Sequence, residues 1–314
     1  MNDSLLSSAQ IKALRSAFGD ALERDAPVAK YTSLGVGGEA DFLLTVTSVE
    51  GLEKAVRLCW MEDIPYILLG GGSNVLVSDA GIRELVILNQ AKAVVFRDEE
   101  GQRPLIRAES GAGMGNLARR AANRGWSGLE WAEGIPGTVG GAVVNNAGAF
   151  GSDISDDLHM AEILHLNDRN IHRAQWSAED FGYDYRTSVI KRNEVDAVVL
   201  LAEFILERST PQDVKKTMGD ISKRRRSTQP PGSSMGSMFK NPPGDYAGRL
   251  IDQAGLKGTW RGDVEISPLH ANFFINRGDA TASDVYALIQ TVQEVVADKF
   301  DVHLDLEIDL IGDW

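Results

Sequence analysis

The chain has 314 residues, with 32 Lys plus Arg against 45 Asp plus Glu, a formal net charge of -13. That balance argues against a nucleic-acid surface, and ordinary hydrophobic (43%) and charged (25%) shares argue against wholesale disorder. The single Cys59 excludes an intramolecular disulfide and any multi-cysteine metal site, and the length suits two or three domains.

The amino terminus has no basic residue before Lys12 and carries Asp3, so it does not read as a secretory signal. The most apolar run, Ala197 to Leu206, is half the ~20 residues that span a bilayer. A cytoplasmic protein without a membrane segment is expected. Ile11, Leu14, Phe18 and Leu22 share one helical face, with Ser7 and Ser8 placed to cap it. A loop over 31–38 follows, then a strand at 41–46, a helix at 49–59 and a strand at 66–69. Short strands are expected at 85–88, 93–96 and 105–108, with a helix at 115–123. Strands near 161–166 and 197–206 precede a helix that starts after Thr210-Pro211, where a domain boundary is expected. A second helix, 283–300, carries an apolar stripe of Val285, Leu288, Ile289, Val292, Val295 and Val296. The chain closes on Val302, Leu304, Leu306, Ile308 and Leu310 alternating with polar residues, which predicts a half-buried strand with Asp305, Glu307 and Asp309 on one acidic face.

Glycine is the anomaly, at 32 residues. The string Gly35-Val-Gly37-Gly-Glu-Ala40 matches a dinucleotide fingerprint but leads into a strand rather than the required helix, and no phosphate-loop motif occurs. Gly70, Gly71, Gly72, Ser73 and Asn74 follow a strand and read either as a tight turn or as a nest of backbone N–H groups for an anion. The segment 131–151 holds Gly134, Gly137, Gly140, Gly141, Gly148 and Gly151. Such density suits close approach to a ligand, with tight corners as the plain alternative. Two such loops suit a long ligand with a pyrophosphate. Lys223 to Arg226 read as cations favoured near a helix C-terminus, or as one or two phosphate contacts. Taken singly, Ser237 is a turn hydroxyl, and Arg186 and Glu307 default to surface ion pairs. The five histidines show no metal-ligand spacing, and Cys59 reads as core.

Tyr31-Thr-Ser-Leu-Gly-Val-Gly-Gly, Leu69-Gly-Gly-Gly-Ser-Asn, the run Gly134 to Gly148, Tyr183-Asp-Tyr-Arg-Thr-Ser and Gly236-Ser-Met-Phe-Lys-Asn-Pro stand here in one order. Together they resemble the UDP-N-acetylenolpyruvoylglucosamine reductase family, from about residue 30 to the end. The resemblance implies an α+β, vanillyl-alcohol-oxidase-like FAD-binding fold of two subdomains, 1–91 and 92–209. It adds a UDP-sugar domain at 210–314 whose last strand can return to the FAD part. The implied flavin contacts are Thr32, Gly70 to Asn74, Gly134, Ile135, Pro136, Gly137, Thr138, Gly140, Gly141, Asn145, Ala147 and Gly148. Arg186, Ser237 and Glu307 match the catalytic positions, and Tyr185, Arg186, Lys240, Asn241 and Glu307 the substrate contacts. FAD and NADPH are the implied cofactors, UDP-N-acetylglucosamine enolpyruvate the partner, and a monomer the expected state.

The run before Ser237 is one residue shorter than the family's, and 185–226 leaves no room for the tyrosine-bearing loop of one subclass. The loop-lacking subclass is implied. Two rivals stay open on residues alone: an alcohol or aldehyde oxidase of the same fold, and a silent flavin-binding module. NADPH oxidation that depends on the enolpyruvyl substrate separates all three.

Overall fold

The computed structural model describes residues 5–314. Residues 1–4, part of the stretch read above as lacking a signal, lie outside the described residues. The first helix, Ser8–Phe18, starts at a reciprocal cap of Ser7 and Gln10. It ends at Gly19, whose φ of 55° turns the chain. Leu22, expected on this helix, instead opens the strand Leu22–Pro27.

That strand pairs antiparallel with Glu39–Val46, which runs parallel to Ile82–Asn89, and Ile82–Asn89 runs parallel to Tyr66–Leu69. Helix Val49–Met61 links two of these strands and buries Leu52, Ala55, Val56 and Cys59. Alternation sorts the sheet's two faces. Phe42, Leu44, Leu85 and Ile87 meet this helix, while Leu43, Val86 and Leu88 line the other side.

A second, fully antiparallel sheet has the order Asn170–Trp176, Leu158–Asn167, Asp196–Ile205, Leu105–Glu109, Val94–Arg97. Its central strand Asp196–Ile205 is buried along nearly its whole length, as its apolar run demands. Helices Met114–Ala122 and Val139–Asn145 pack on one face. The other face meets the first unit through Leu164, Val198 and Leu200. Helix Pro211–Thr228 also packs here, through Val214 and Met218, so the division expected at 210 falls within one continuous core.

The third sheet, Trp260–Arg261, Val264–Ile266 and Phe274–Asn276, is covered by helices Ala247–Gln253 and Ala282–Phe300. The closing segment is not the long strand that alternation predicts. Only Asp309–Ile311 is a strand, and it lies parallel to Val75–Val77 beside the first unit. Ahead of it the chain joins no sheet ladder, and bridges to Phe239 through Leu306. It is shared between two partners rather than seated in one sheet. No helix among the described residues is long and apolar enough to cross a membrane.

Candidate active site

The two glycine loops pack on each other. A Cβ on Gly71 would lie 2.9 Å from the Cα of Gly137, and one on Gly70 would lie 2.5 Å from Thr138 Oγ1. On Gly72, with φ 58°, a Cβ would meet the Tyr31 carbonyl at 1.9 Å. These glycines are therefore required first by close contact with neighbouring loops. The glycine-dense segment is not all loop. Thr138 caps a short helix, Val139–Asn145, with its hydroxyl accepting from Gly141 N–H.

Gly141 is the telling position. It is exposed and has no positive φ, and a Cβ there would meet only Thr138 Oγ1, at 3.6 Å. Nothing within the protein demands glycine at that point, whereas a ligand lying on the helix would. A cavity of about 380 Å³ runs along both loops, lined by Thr32, Gly70, Gly71, Gly137 and Thr138 with Lys30 and Lys92. Among the described residues, the N–H groups of Gly71, Gly72 and Ser73 meet no backbone acceptor. Free donors and two lysines along this cavity suit a pyrophosphate-bearing flavin.

Not every expected flavin residue points that way. The Thr32 hydroxyl is engaged by the carbonyls of Ala29 and Val36, each at 3.0 Å. Ile135 and Ala147 lean on the core, and Pro136 is exposed. Asn145 turns back to the carbonyl of Gly141 at 2.9 Å. A Cβ on Gly148 would strike Asp153. The Asn74 amide donates to the Glu307 carbonyl at 3.1 Å.

The end of helix Val139–Asn145 organises the next element. Its last carbonyls lack helical partners, and residues 183–188 supply donors to several of them. Tyr183 Oη donates to Val143 O at 2.8 Å, and Ser188 Oγ to Val144 O at 2.7 Å. Arg186 donates from Nη1 to Asn146 O at 3.3 Å and from Nη2 to Gly148 O at 2.7 Å. Asn146, at φ 44°, also sends its amide to Asp184 O at 3.4 Å. Arg186 itself is held at φ 57°, with its remaining Nε on Glu307 Oε1 at 2.9 Å. The string Tyr183-Asp-Tyr-Arg-Thr-Ser thus clamps a guanidinium to the flavin-loop helix. Tyr185 stacks near that guanidinium, 5.5 Å from its ring centre, and its hydroxyl accepts from Asn241 Nδ2 at 3.5 Å.

Glu307 faces inward, against the expected solvent face. Its side chain is 19% exposed, whereas Asp305 is 77% and Asp309 46% exposed. Burial raises its carboxyl above the ordinary range, and Arg186 and Lys240 only partly oppose that. Glu307 N–H donates to Met238 O at 2.9 Å, which sets it beside the residue that follows Ser237. Asn272 fixes this Ser237-bearing loop from the other side. It accepts from Phe239 N–H at 3.0 Å and returns its amide to Phe239 O at 2.8 Å. Buried and far along the chain, Asn272 carries no local signal that the sequence could offer. Arg186, Glu307, Tyr185, Lys240 and Asn241 therefore converge, with Ser237 on the adjoining strand-like segment.

Lys223 to Arg226 sit inside a helix that continues to Thr228. Burial of Arg225 lowers the pKa of its guanidinium. Its Cδ lies 3.2 Å from where a Cβ on Gly134 would be.

Residues 40–174 match the FAD binding domain family, so fold and cleft define a flavin-dependent oxidoreductase. Residues 228–311 match the C-terminal domain family of UDP-N-acetylenolpyruvoylglucosamine reductase. The reductase of Chloroflexus aggregans is 42% identical over 92% of this chain and 97% of its own length. That of Rubrobacter xylanophilus is 41% identical over 92% and 95%. The crystal structure of the Thermus caldophilus reductase is 36% identical and superposes at a TM-score of 0.77, covering 93% of this chain and 99% of that one. The chain belongs to the UDP-N-acetylenolpyruvoylglucosamine reductase family, whose cofactors are FAD and NADPH.

Proposed function

We propose that this site reduces UDP-N-acetylglucosamine enolpyruvate to UDP-N-acetylmuramate, with Arg186, Ser237 and Glu307 as its catalytic residues. The observation that carries the reading is the convergence of the Arg186–Glu307 pair, 2.9 Å apart, on the segment that bears Ser237. Residues up to the end of helix Pro211–Thr228 supply the flavin cleft, and the residues after it the UDP-sugar surface, with the tail returned to the first unit.

Held by the two glycine loops, Gly70 to Ser73 and Gly137 to Gly141, FAD would supply the hydride chemistry for the enolpyruvyl double bond, with NADPH as the reductant. Negative charge then develops on an enolate conjugated with the substrate carboxylate. Arg186 is fixed by three hydrogen bonds before substrate arrives, so little reorganisation is needed to stabilise that charge. Glu307, raised by burial, can hold a proton against the substrate's carboxylate. The Ser237 hydroxyl donates the proton to the adjacent carbon. Tyr185, Lys240 and Asn241 lie beside the Arg186–Glu307 pair and would orient the sugar nucleotide. In the cytoplasm the chain would act as a monomer.

The test is NADPH oxidation by purified protein with and without the enolpyruvyl UDP-sugar. Oxidation dependent on the UDP-sugar supports the reading. Oxidation unaffected by it, with oxygen consumed, would favour an oxidase.

A further inference from the structure

Asn74 follows the flavin loop directly, yet its side chain does not turn to the cleft. Its amide donates to Glu307 O at 3.1 Å, and its own carbonyl accepts from Asp309 N–H at 2.9 Å. Glu307 N–H is already given to Met238 O at 2.9 Å. Both peptide groups of Glu307 are therefore committed, one to the Ser237 segment and one to the flavin loop. Just beyond, Asp309–Ile311 pairs in parallel with Val75–Val77, so the tail is registered on the strand that Asn74 precedes. Residues 233 positions apart are joined at the point where the carboxylate must be aimed.

We propose that Asn74 is a positioning residue for Glu307: its amide fixes the peptide that carries the carboxylate and thereby ties the acid to the loop that cradles the flavin. The inference rests on Glu307 serving the reduction of the enolpyruvyl group. A backbone anchor of this kind sets where the side chain starts, and a displacement near 1 Å can cost ~10²-fold in rate. Without the amide, Glu307 O loses its partner and the carboxylate can swing from Arg186.

Asn74→Ala removes the donor, and Asn74→Asp removes it while keeping the shape. In stopped-flow absorbance, normalised to bound FAD, reoxidation by the enolpyruvyl UDP-sugar should fall on the order of 10–10²-fold. Reduction by NADPH should fall at least about tenfold less. The double variant Asn74→Ala/Glu307→Gln should be no slower than Glu307→Gln alone, because both changes act through one group. Equal loss in both half-reactions, multiplicative effects in the double variant, or loss of FAD from both single variants would overturn the proposal. If Glu307→Gln itself leaves reoxidation unchanged, the reading of Glu307 fails instead.

Discussion

Arg186 Nε lies 2.9 Å from Glu307 Oε1 although 121 residues separate them, and each partner is held by backbone contacts of its own. The arginine hangs from the carbonyl end of the flavin-loop helix, and the glutamate is strung between Met238 and Asn74. Two preorganised elements meet at one ion pair. The pair is not a surface bridge of negligible worth, because both side chains are largely covered.

Glu307→Gln should therefore lower enolpyruvyl reduction by ~10²–10⁴-fold, the range for losing one acid–base group. Asp305→Asn, at a position 77% exposed, should be neutral, and Asp309→Asn should lose only its ion pair with Lys191. Steady-state kinetics on the three variants decides. Equal effects would return Glu307 to an ordinary carboxylate.

The pH dependence has a definite sign. Burial favours the neutral form of Glu307, so its proton persists above the ordinary carboxylate range. A substrate carboxylate that engages Arg186 weakens the contact opposing that shift and favours proton uptake. The KM for the UDP-sugar should rise as pH climbs through the raised pKa. Glu307→Gln should abolish that limb, and flavin reduction by NADPH should not show it. A KM profile identical in wild type and variant would contradict this assignment.

Much of this was legible in the sequence, for identifiable reasons. Apolar periodicity located Val49–Met61 and Ala282–Phe300, because each covers a sheet with one continuous face. The Leu22 misassignment arose because helical spacing continues past Gly19, whose positive φ breaks the helix. The tail misled for a different reason: alternation reports burial, and Val302, Leu304, Leu306 and Ile308 all enter one core without joining a strand ladder. Arg186, Ser237 and Glu307 were readable only through resemblance to a family, since singly each looks like surface. Asn74 was legible only as a flavin contact, not as a partner of Glu307, and Asn146 and Asn272 carried no signal of a role in the site. Their work is done through main-chain partners that only the fold brings near.

Gly141 separates a ligand surface from internal packing. Gly141→Ala places its methyl in open space on a helix and should leave the apoprotein as stable, or ~0.5–1 kcal/mol more stable. Gly141→Val should then yield a folded but colourless protein. Gly71→Ala should instead destabilise, because its Cβ would press on Gly137. Melting curves beside the ratio of flavin to protein absorbance test both. A yellow Gly141→Val protein would remove the helix from the flavin site.

Asp157 offers a stability test away from the chemistry. Burial pushes its carboxyl up to about 6, although Trp131 Nε1 donates to it at 2.8 Å. The folded protein therefore binds this proton more tightly than the unfolded chain. The stability this group contributes is full below the unfolded pKa of 3.8 and is lost as pH rises through about 6. Asp157→Asn keeps an oxygen for the indole and removes the charge. At pH 7.5 it should gain about 1 kcal/mol, discounted for the solvent that reaches the site. Below pH 4 the gain should vanish. Urea melts at the two pH values check this.

The most direct measurement is stopped-flow absorbance on Ser237→Ala, which resolves flavin bleaching from recolouring. NADPH reduction requires no proton for an enolate carbon, so bleaching should run close to the wild-type rate. Recolouring by the enolpyruvyl UDP-sugar should slow by at least on the order of 10²–10⁴-fold, with Ser237→Cys retaining more activity than alanine. An alanine variant that recolours as fast as wild type would contradict the assignment of Ser237 as the acid.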